Sequence, residues 1–300
     1  MEIIDELPKI TNGKMLGARC APAPWPDRLW TRKAVSRSTQ EAAVLYERRE
    51  HIAIITLNRP EAMNAVNSAL ATALGRQLEN CNSDPEVWAV VITGQGRGFC
   101  AGADLKAIAS GQDISAEGHP EWGFGGMVRH FIDKPVIAAV NGFALGGGTE
   151  IVLACDLAVI DENAKLGLPE VTRGLFAAGG GALRLQRQVP LKIALEAALT
   201  GEHMSAQTAL QWGLVNRVAA AGTSLEVALE LARTIVANAP LAVQQSKAVI
   251  HRAAAYGSDW DAPMWDELNA AAAKVVFGSE DALEGPTAFA EKRAPRWKGR

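Results

Sequence analysis

The sequence predicts an α/β fold in which parallel strands are joined by helices, followed by a helical C-terminal region. Segments 87–93 and 135–140 are near-continuous apolar runs, and 157–160 is a weaker one. Such runs are typical of parallel strands that are covered on both faces. Each run is followed by a loop and then by a helical segment, the alternation that helical crossovers produce. From about residue 191 the strand signals stop.

Further segments complete the predicted architecture. Residues 44–48 and 52–57 are strand-like runs on either side of Arg49-Glu50, which predicts a hairpin. Ser68 opens a helix with leucines on one face and is its candidate N-cap. The C-terminal third predicts helices over 191–200, 205–212, 224–238, 241–256, 263–276 and 281–292. Their apolar faces need a cover, either the core or another subunit.

Composition excludes several classes of protein. A length of 300 residues favours one large domain with a smaller appendage, and 48% hydrophobic residues can bury a sizeable core. A net charge of −3 argues against a nucleic-acid or anionic-membrane partner. No apolar run approaches the roughly 18 residues that a membrane span needs. The first residues lack the basic region of a secretory signal, so we expect a cytoplasmic protein.

The cysteines predict neither a metal site nor a disulfide framework. Cys20, Cys81, Cys100 and Cys155 are not spaced as CxxC, and the sequence has no HExxH motif. Free thiols in a reducing compartment fit this pattern better. We therefore expect no metal.

The first 42 residues differ from the rest of the chain. Pro22, Pro24 and Pro26 interrupt any helix there. The segment is a disordered leader, a start codon assigned too early, or an arm on a partner subunit; we favour a poorly ordered leader. The predicted organisation is a leader over 1–42, a core over 43–215 and a helical region over 216–300.

A first glycine-rich loop follows the strand at 87–93. Within it, residues 96–101 match the dinucleotide-binding pattern G-x-G-x-x-A. That interpretation also requires the glycines to open a helix directly and a second strand to end in an acidic residue. Here the glycines extend to Gly102, and residues 111–126 form a glycine-rich loop. We reject a dinucleotide site.

A second glycine-rich loop, residues 141–150, follows the strand at 135–140. Its glycines let the backbone approach a ligand, and the helix from about residue 147 presents free N–H groups. Two such loops at the carboxyl ends of parallel strands can direct two amides at one oxygen, an oxyanion hole. For this loop alone, tight helix–strand packing is an equally serious interpretation.

Two glutamates follow parallel strands in the same way. Glu150 lies one turn into the helix after the second loop, and Glu170 follows the strand at 157–160. Paired carboxyl groups beside an oxyanion hole suit proton transfer at a carbon next to a carbonyl, with water as second reactant. Either glutamate alone is also explained as a solvated or helix-end charge.

Several motifs in register resemble the enoyl-CoA hydratase/isomerase (crotonase) family. They are RPEAMNA (59–65), GRGFCAGADLK (96–106), KPVIAAVNGFALGGGTE (134–150), CDLAV (155–159), GLPE (167–170), ALTGE (198–202), GLVNRV (213–218) and AFAEKR (288–293). The resemblance runs from about residue 43 to the C-terminus. It implies a crotonase-like ββα spiral core with a C-terminal helical trimerisation region, and a homotrimer or hexamer.

The resemblance also implies roles for residues. The amides of Ala103 and Gly147 would form the oxyanion hole. Glu150 would activate water and Glu170 would supply the proton to the α-carbon, although the two labels are exchangeable because both groups contact the same water.

The resemblance implies binding residues for an acyl-CoA thioester, whose coenzyme A is part of the substrate; no other cofactor is expected. The contributing residues would be Ala62 and Ala65, in the loop after the hairpin, and Asp104, Leu105 and Lys106, directly after the first glycine-rich loop. Near the C-terminus, Phe289 and Lys292 would serve a neighbouring subunit's site. For Lys292, an exposed helix charge is nearly as good an explanation.

The sequence departs from the family pattern after Glu170. Residues 176–181 replace a P-G-A-G-G run, so Ala178 is expected to line the water in place of glycine. Residues 117–126 resemble the carnitinyl-CoA hydratase branch. His119, Trp122 and Phe124 would line the acyl pocket, or Trp122 and Phe124 would only anchor a loop, two interpretations of equal weight.

The expected function is an enoyl-CoA hydratase that adds water across the α,β-double bond of 2-enoyl-CoA thioesters. Retention of both glutamates favours it over family branches that isomerise, dehalogenate or decarboxylate. The alternative is a carnitinyl-CoA (crotonobetainyl-CoA) dehydratase or another specialised acyl-CoA hydratase. A non-catalytic acyl-CoA-binding protein is less favoured.

Overall fold

The computed structural model describes residues 42–258 and 260–300, which belong to one compact unit. The predicted leader lies outside the described residues apart from its last position. The strands are β1 Val44–Arg49, β2 Ile52–Leu57, β3 Ala89–Gly94, β4 Gly98–Cys100, β5 Val136–Val140, β6 Phe143–Leu145, β7 Leu157–Asp161, β8 Lys165–Gly167, β9 Met204–Ser205 and β10 Arg217–Ala219. The helices are α1 Ser68–Ser83, α2 Leu105–Ala109, α3 Gly147–Ala154, α4 Gly181–Gln188, α5 Leu191–Thr200, α6 Ala206–Gln211, α7 Ser224–Val236, α8 Pro240–Ala253, α9 Ala270–Phe277 and α10 Asp281–Glu291.

The larger sheet confirms the predicted hairpin and the predicted parallel strands. Its order is β1-β2-β3-β5-β7-β10; β1 and β2 pair antiparallel, and each later neighbour is parallel. Glu50 at the hairpin turn has a φ of 53°. The strands β3 and β5 are buried along their whole length, which explains their unbroken apolar sequences.

A smaller sheet runs beside the larger one in the order β4-β6-β8-β9. Its first three strands are parallel, and β8 pairs antiparallel with β9. Three successive turns, which begin at β3, β5 and β7, thus place one strand in the larger sheet, then one in the smaller, then a helical segment. The predicted ββα spiral is confirmed, and its helical segments follow the carboxyl ends of the parallel strands β4, β6 and β8.

The main core lies between the larger sheet and the helices on one of its faces. It includes Leu70, Leu74 and Leu78 of α1, each no more than 1% exposed. A second apolar cluster joins the opposite face of the sheet to α7. The prediction of Ser68 as N-cap of α1 is wrong. Asn67 is the cap because it adopts extended backbone and its side chain accepts from Leu70 N at 3.0 Å.

A buried ammonium ties the end of α1 to the start of β5. Lys134 is 5% exposed, and its Nζ donates to Cys81 O at 2.6 Å and to Asp84 O. These carbonyls belong to the last turn of α1 and the residue that caps it. A cation there satisfies acceptors that have no partner within the helix.

The C-terminal third departs from the expectation that strands stop near residue 191. The short strands β9 and β10 follow, and β10 pairs with β7. The strand at 217–219 therefore lies past the predicted core boundary but belongs to the core sheet. Residues 181–188 form a helix that was not predicted, and the single helix predicted over 263–276 is a π-helical segment, Met264–Asn269, followed by α9.

The end of the chain folds back on this helical region. Asp281 is 4% exposed and accepts from Lys298 N at 2.7 Å and Gly299 N at 2.9 Å. Trp297 Nε1 donates to Ala237 O at 2.7 Å. Among the helices of the described residues, none has the length and apolar character needed to cross a membrane.

Candidate active site

Glu150 is a buried carboxylate on the first turn of α3. Its residue exposure is 3%, and its Oε1 accepts from Gly181 N at 2.8 Å. Its Oε2 lies against Gly179, where an added Cβ would overlap that oxygen. Gly179, before α4, and Gly181, its first residue, therefore enclose this carboxylate. A side chain at Gly179 would displace it.

Glu170 lies on the one-turn helix Pro169–Arg173, directly after β8. Proline at the first position pre-sets the backbone for that turn. The Glu170 Oε1 lies 3.3 Å from the point that a Cβ of Gly146 would occupy. The other oxygen, Oε2, is buried and has no hydrogen-bond partner among residues 42–258 and 260–300. Because buried polar atoms are normally paired, this oxygen is available to a donor from outside those residues.

The environment of both glutamates favours their protonated forms. Burial raises the pKa of Glu150, and the adjacent charge of Glu170 raises it further, against the opposing effect of the Gly181 and Gly179 amides and of Arg184. Burial likewise raises the pKa of Glu170. A carboxyl group with a raised pKa exchanges protons near neutral pH more readily than an ordinary surface glutamate.

The two predicted oxyanion amides come from adjoining backbone segments. Gly147 is the first residue of α3, so its amide has no intrahelical acceptor. Gly102, directly before Ala103, has a φ of +91°, and an added Cβ there would lie 3.0 Å from Gly147 N. The structure therefore brings these two loops together. Their function as an oxyanion hole stays a prediction.

A short backbone pairing sets the direction of the Ala103 amide. Val66 N donates to Gly102 O at 2.8 Å, and Asp104 N donates to Val66 O at 2.9 Å. This parallel bridge uses the groups on either side of Ala103. The Ala103 amide therefore points away from Val66.

The glycines of the second loop are required by close packing. A Cβ at Gly148 would collide with the carbonyl oxygen of Cys100, and one at Gly147 would collide with the ring of Phe124. The helix thus starts in direct contact with the first loop. The interpretation of these glycines as packing residues is confirmed, and the same packing brings the two loops to one place. The oxyanion hole that this arrangement would form stays a prediction.

The predicted coenzyme A residues are held together by an arginine to which the sequence analysis assigned no role. Arg59 forms an ion pair with Asp104 at 3.0 Å and also donates to Ala65 O. Asp104 in addition caps α2 by accepting from Lys106 N at 3.2 Å. Its carboxylate organises the loop, and a direct contact with coenzyme A stays a prediction. The side chains of Leu105 and Lys106 are exposed beside it.

A buried asparagine joins the RPEAMNA segment to the first glycine-rich loop. Asn64 is fully buried with a φ of 56°; its Nδ2 donates to Gln95 O at 3.0 Å and Gly98 O at 2.8 Å. Its Oδ1 accepts from Arg59 N at 2.9 Å. Ala62 and Ala65, on either side, are partly exposed. Both Arg59 and Asn64 belong to the motif RPEAMNA. The asparagine was the available signal, because asparagine tolerates the left-handed backbone conformation that Asn64 adopts.

Ala178 is exposed and lines a cavity of about 690 Å³ together with Phe124, Gly179 and Gly180. The residues that lie against the Glu150 carboxylate are Gly179 and Gly181. A contact of Ala178 with the reacting water or with substrate stays a prediction.

The structure separates the two interpretations of the aromatic residues in segment 117–126. Trp122 stacks between His119 and His130, and an added Cβ at Gly75 of α1 would overlap its ring. Trp122 therefore anchors the segment to α1. Phe124 instead contacts Gly147 and lines the cavity next to Glu150.

The two predicted C-terminal residues lie on or next to α10. Phe289 is 87% exposed, and Lys292 follows the helix as its cap, with a φ of 54°. Neither is part of the arrangement around Glu150 in the single chain. A role in a neighbouring subunit's site stays a prediction.

Metal and thiol chemistry finds no support in the described part of the chain. Within residues 42–258 and 260–300 no three His, Cys, Asp or Glu side chains are grouped as metal ligands. Cys81, Cys100 and Cys155 are buried free thiols. Burial raises the pKa of Cys81 to about 11 and that of Cys100 to about 12, so both stay protonated at neutral pH.

Comparison with known proteins agrees with this geometry. The family described as enoyl-CoA hydratase/isomerase matches residues 47–300. A carnitinyl-CoA dehydratase from Salmonella typhi is 46% identical over 254 residues, covering 82% of this chain and 94% of that protein.

Solved structures show the same fold. An enoyl-CoA hydratase from Mycobacterium tuberculosis H37Rv has a TM-score of 0.82 at 45% identity, and a carnitinyl-CoA hydratase from Mycobacterium avium has a TM-score of 0.69 at 55% identity. Each comparison covers 87% of this chain and all of the other. The ββα spiral with its two glycine-rich loops and paired glutamates is therefore the crotonase fold, and the chain belongs to the enoyl-CoA hydratase/isomerase family.

Proposed function

We propose that this chain is a hydro-lyase that adds water reversibly across the α,β-double bond of 2-enoyl-CoA thioesters. The observation that carries the proposal is the convergence of the buried Glu150 and the half-buried Glu170, both with raised pKa, on the segment 146–150. That segment also begins the helix whose first amide has no acceptor within the helix. Membership of the family supplies the thioester as the substrate class.

The proposed reaction assigns one function to each group. The thioester oxygen accepts hydrogen bonds from the Ala103 and Gly147 amides, which stabilise the enolate charge that develops there. Glu150 removes a proton from water as the water oxygen bonds to the β-carbon. Glu170, whose protonated form is favoured by burial, delivers a proton to the α-carbon. The net change is one water added, and the two carboxyl groups exchange protonation states.

A second candidate is the dehydration of carnitinyl-CoA or the hydration of crotonobetainyl-CoA. It is favoured by relatives named carnitinyl-CoA dehydratase and carnitinyl-CoA hydratase at 46% and 55% identity. The same catalytic groups would act on both kinds of substrate, because the two thioesters differ only at the end of the acyl chain. The choice between the two candidates depends on the acyl cavity.

We also propose that the chain acts as a homotrimer or hexamer in the cytoplasm. Support for assembly comes from α5, where Leu191, Leu195 and Leu199 recur every four residues and are 62%, 46% and 69% exposed. Such a stripe on one helix face is typical of a contact surface. Support for the compartment comes from the three buried free thiols.

The test is turnover by purified protein of crotonyl-CoA, longer trans-2-enoyl-CoA thioesters and crotonobetainyl-CoA, followed by loss of the conjugated enoyl thioester absorbance. We expect hydration of at least one thioester and a loss of about 10²–10⁴-fold in kcat for Glu150→Gln and for Glu170→Gln, as removal of a general acid or base causes. Glu230→Gln, an exposed change on α7, is the matched control and should keep the wild-type rate. Wild-type rates in both active-site variants would refute the assigned roles. Saturable coenzyme A binding without turnover on the whole panel would show a non-catalytic binding protein.

A further inference from the structure

Arg184 is a half-buried arginine of α4 that none of the steps above uses. Its Nη2 donates to the carbonyl oxygen of Val128. Its Nη1 lies against Gly180, where an added Cβ would overlap it. One guanidinium thus connects the start of α4 to the segment that carries Phe124.

Both of the segments joined by Arg184 contact the catalytic arrangement. Gly181 N donates to Glu150 Oε1 at 2.8 Å, and Gly179 lies against Oε2. On the other side, Phe124 packs against Gly147, whose amide is a proposed oxyanion donor. Movement of either segment would shift a group that the reaction needs.

The glycine turn at the start of α4 has no side chains of its own that could fix its position. Gly180 has a φ of +107°, a conformation that residues with a Cβ rarely adopt, and three consecutive glycines have no side chains to pack. A planar, multi-donor guanidinium is suited to fix such a turn because it binds two groups in a set geometry.

The charge of Arg184 also acts on Glu150. Four groups face the Glu150 carboxylate besides its desolvating surroundings: the Gly181 and Gly179 amides, the Glu170 carboxylate and the Arg184 guanidinium. Arg184 lowers the pKa of Glu150, whereas burial and Glu170 raise it. Arg184 in turn is subject to burial, which lowers its own pKa, and to Glu150 and Cys155, which raise it.

We propose that Arg184 is a positioning residue for Glu150: its guanidinium, bonded to the Val128 carbonyl and packed against Gly180, holds the Gly179–Gly181 turn and keeps the base correctly placed for water activation. The proposal rests on the proposed hydration reaction. It differs from a purely structural role, in which loss of Arg184 lowers stability but leaves the pH dependence of catalysis unchanged.

The test compares Arg184→Gln and Arg184→Lys by kcat and kcat/KM from pH 5 to 9, with thermal unfolding to show that each variant is folded. In Arg184→Gln the positive charge is lost, so the pKa of Glu150 rises and less of the base is ionised at a given pH. We expect the acid limb of kcat/KM to move to higher pH by about half a unit or more and kcat to fall about 10-fold. Arg184→Lys keeps the charge but not the two-point geometry. We expect a wild-type acid limb with a reduced kcat.

Arg233→Gln is the matched control because Arg233 is exposed on α7, which packs on the opposite face of the larger sheet. It should match the wild type in rate and pH profile. An Arg184→Gln profile that superimposes on the wild type, or identical acid limbs in the Lys and Gln variants, would overturn the inference. If Arg184→Gln does not fold, an Arg184→Lys protein with unreduced kcat overturns it alone. Absence of hydration by the wild type is a separate result, because it refutes the proposed function before any variant is compared.

Discussion

At the scale of single residues, Glu170 shows that this site is built for chemistry at the expense of stability. One of its carboxylate oxygens is buried without a partner, and burial raises its pKa. An unpaired buried polar group costs about 1–3 kcal/mol, less where the residue is partly exposed. Active sites commonly retain such costs because the group is used in the reaction.

Replacing Glu170 by Gln should therefore stabilise the protein at neutral pH while removing activity. Because burial raises the pKa of Glu170 in the folded state, folding favours the protonated carboxyl group. Its favourable contribution to the free energy of unfolding is therefore fully present below its ordinary pKa near 4.5. This contribution is lost as the pH rises through the folded-state pKa. We expect Glu170→Gln to increase the free energy of unfolding by about 1 kcal/mol at pH 8. The difference should shrink as the pH approaches 4.5. Urea unfolding at both pH values measures it, and a variant less stable than the wild type at pH 8 contradicts it.

The two glutamates were predictable from sequence because each follows a recognisable parallel strand by a short, glycine-marked loop. The contacts of Gly179 and Gly181 with Glu150 were not predictable for a physical reason: in the run 176–181 nothing but tertiary contact decides which small residue faces Glu150. Arg184 was missed because its role depends on a contact with Val128, 56 positions away. Contacts of that kind leave no local pattern.

At the scale of elements, the close approach of α3 to the first glycine-rich loop determines the site. Gly148 lies against the Cys100 carbonyl, so the helix start and β4 are in backbone contact. Loss of this contact would separate the Gly147 amide from Ala103. The glycine is required by space, because its φ is not in the left-handed region.

Gly148→Ala should accordingly destabilise the protein and lower activity, although alanine normally favours a helix by roughly 0.5–1 kcal/mol over glycine. The backbone carbonyl in the way cannot rotate aside, and we expect a loss of about 2–3 kcal/mol in unfolding free energy. The matched control is Gly285→Ala in α10, where the new Cβ would lie 3.4 Å from the Trp297 ring, an ordinary contact. It should be neutral or stabilising. Equal stabilities of the two variants in urea unfolding would contradict the packing argument.

Elements were predictable in proportion to their length. The apolar strands β3 and β5 and the long helices were recognised, whereas the three-residue strands β4, β6 and β8 are too short to show a period. The helix α4 begins at Gly181, and the glycines there predicted a loop, so this helix was not predicted. The cap of α1 was displaced by one residue because Asn67 and Ser68 are both good capping residues.

At the scale of the whole molecule, the helical region has apolar surface that the described part of the chain leaves exposed. The stripe of α5 is one part, and Phe277 and Leu283 near the chain end are 80% and 75% exposed. Surfaces of this kind on one chain commonly become interfaces. The predicted helical tail is thus present. Within it, β10 and α7 complete the core. The pairing of β10 with β7 joins strands that are distant in sequence and was not predicted.

Sedimentation of the purified protein should give the mass of three or six chains. Leu195→Asp with Leu199→Asp should shift the distribution toward smaller species, because two charges would be buried without partners in the interface. Thr200→Asp, an exposed change on the same helix that lies off the leucine stripe, should leave the mass unchanged. A wild-type protein that sediments as one chain would contradict the assembly.

The spiral has a consequence for how such a protein diversifies. Successive turns contribute separate chemical groups: the first turn Ala103, the second Gly147 and Glu150, and the third Glu170. A substitution in one turn exchanges one reactive group while the neighbouring turns keep the thioester in place. Descendants of one ancestral gene could in this way acquire new reactions step by step, without redesigning the scaffold.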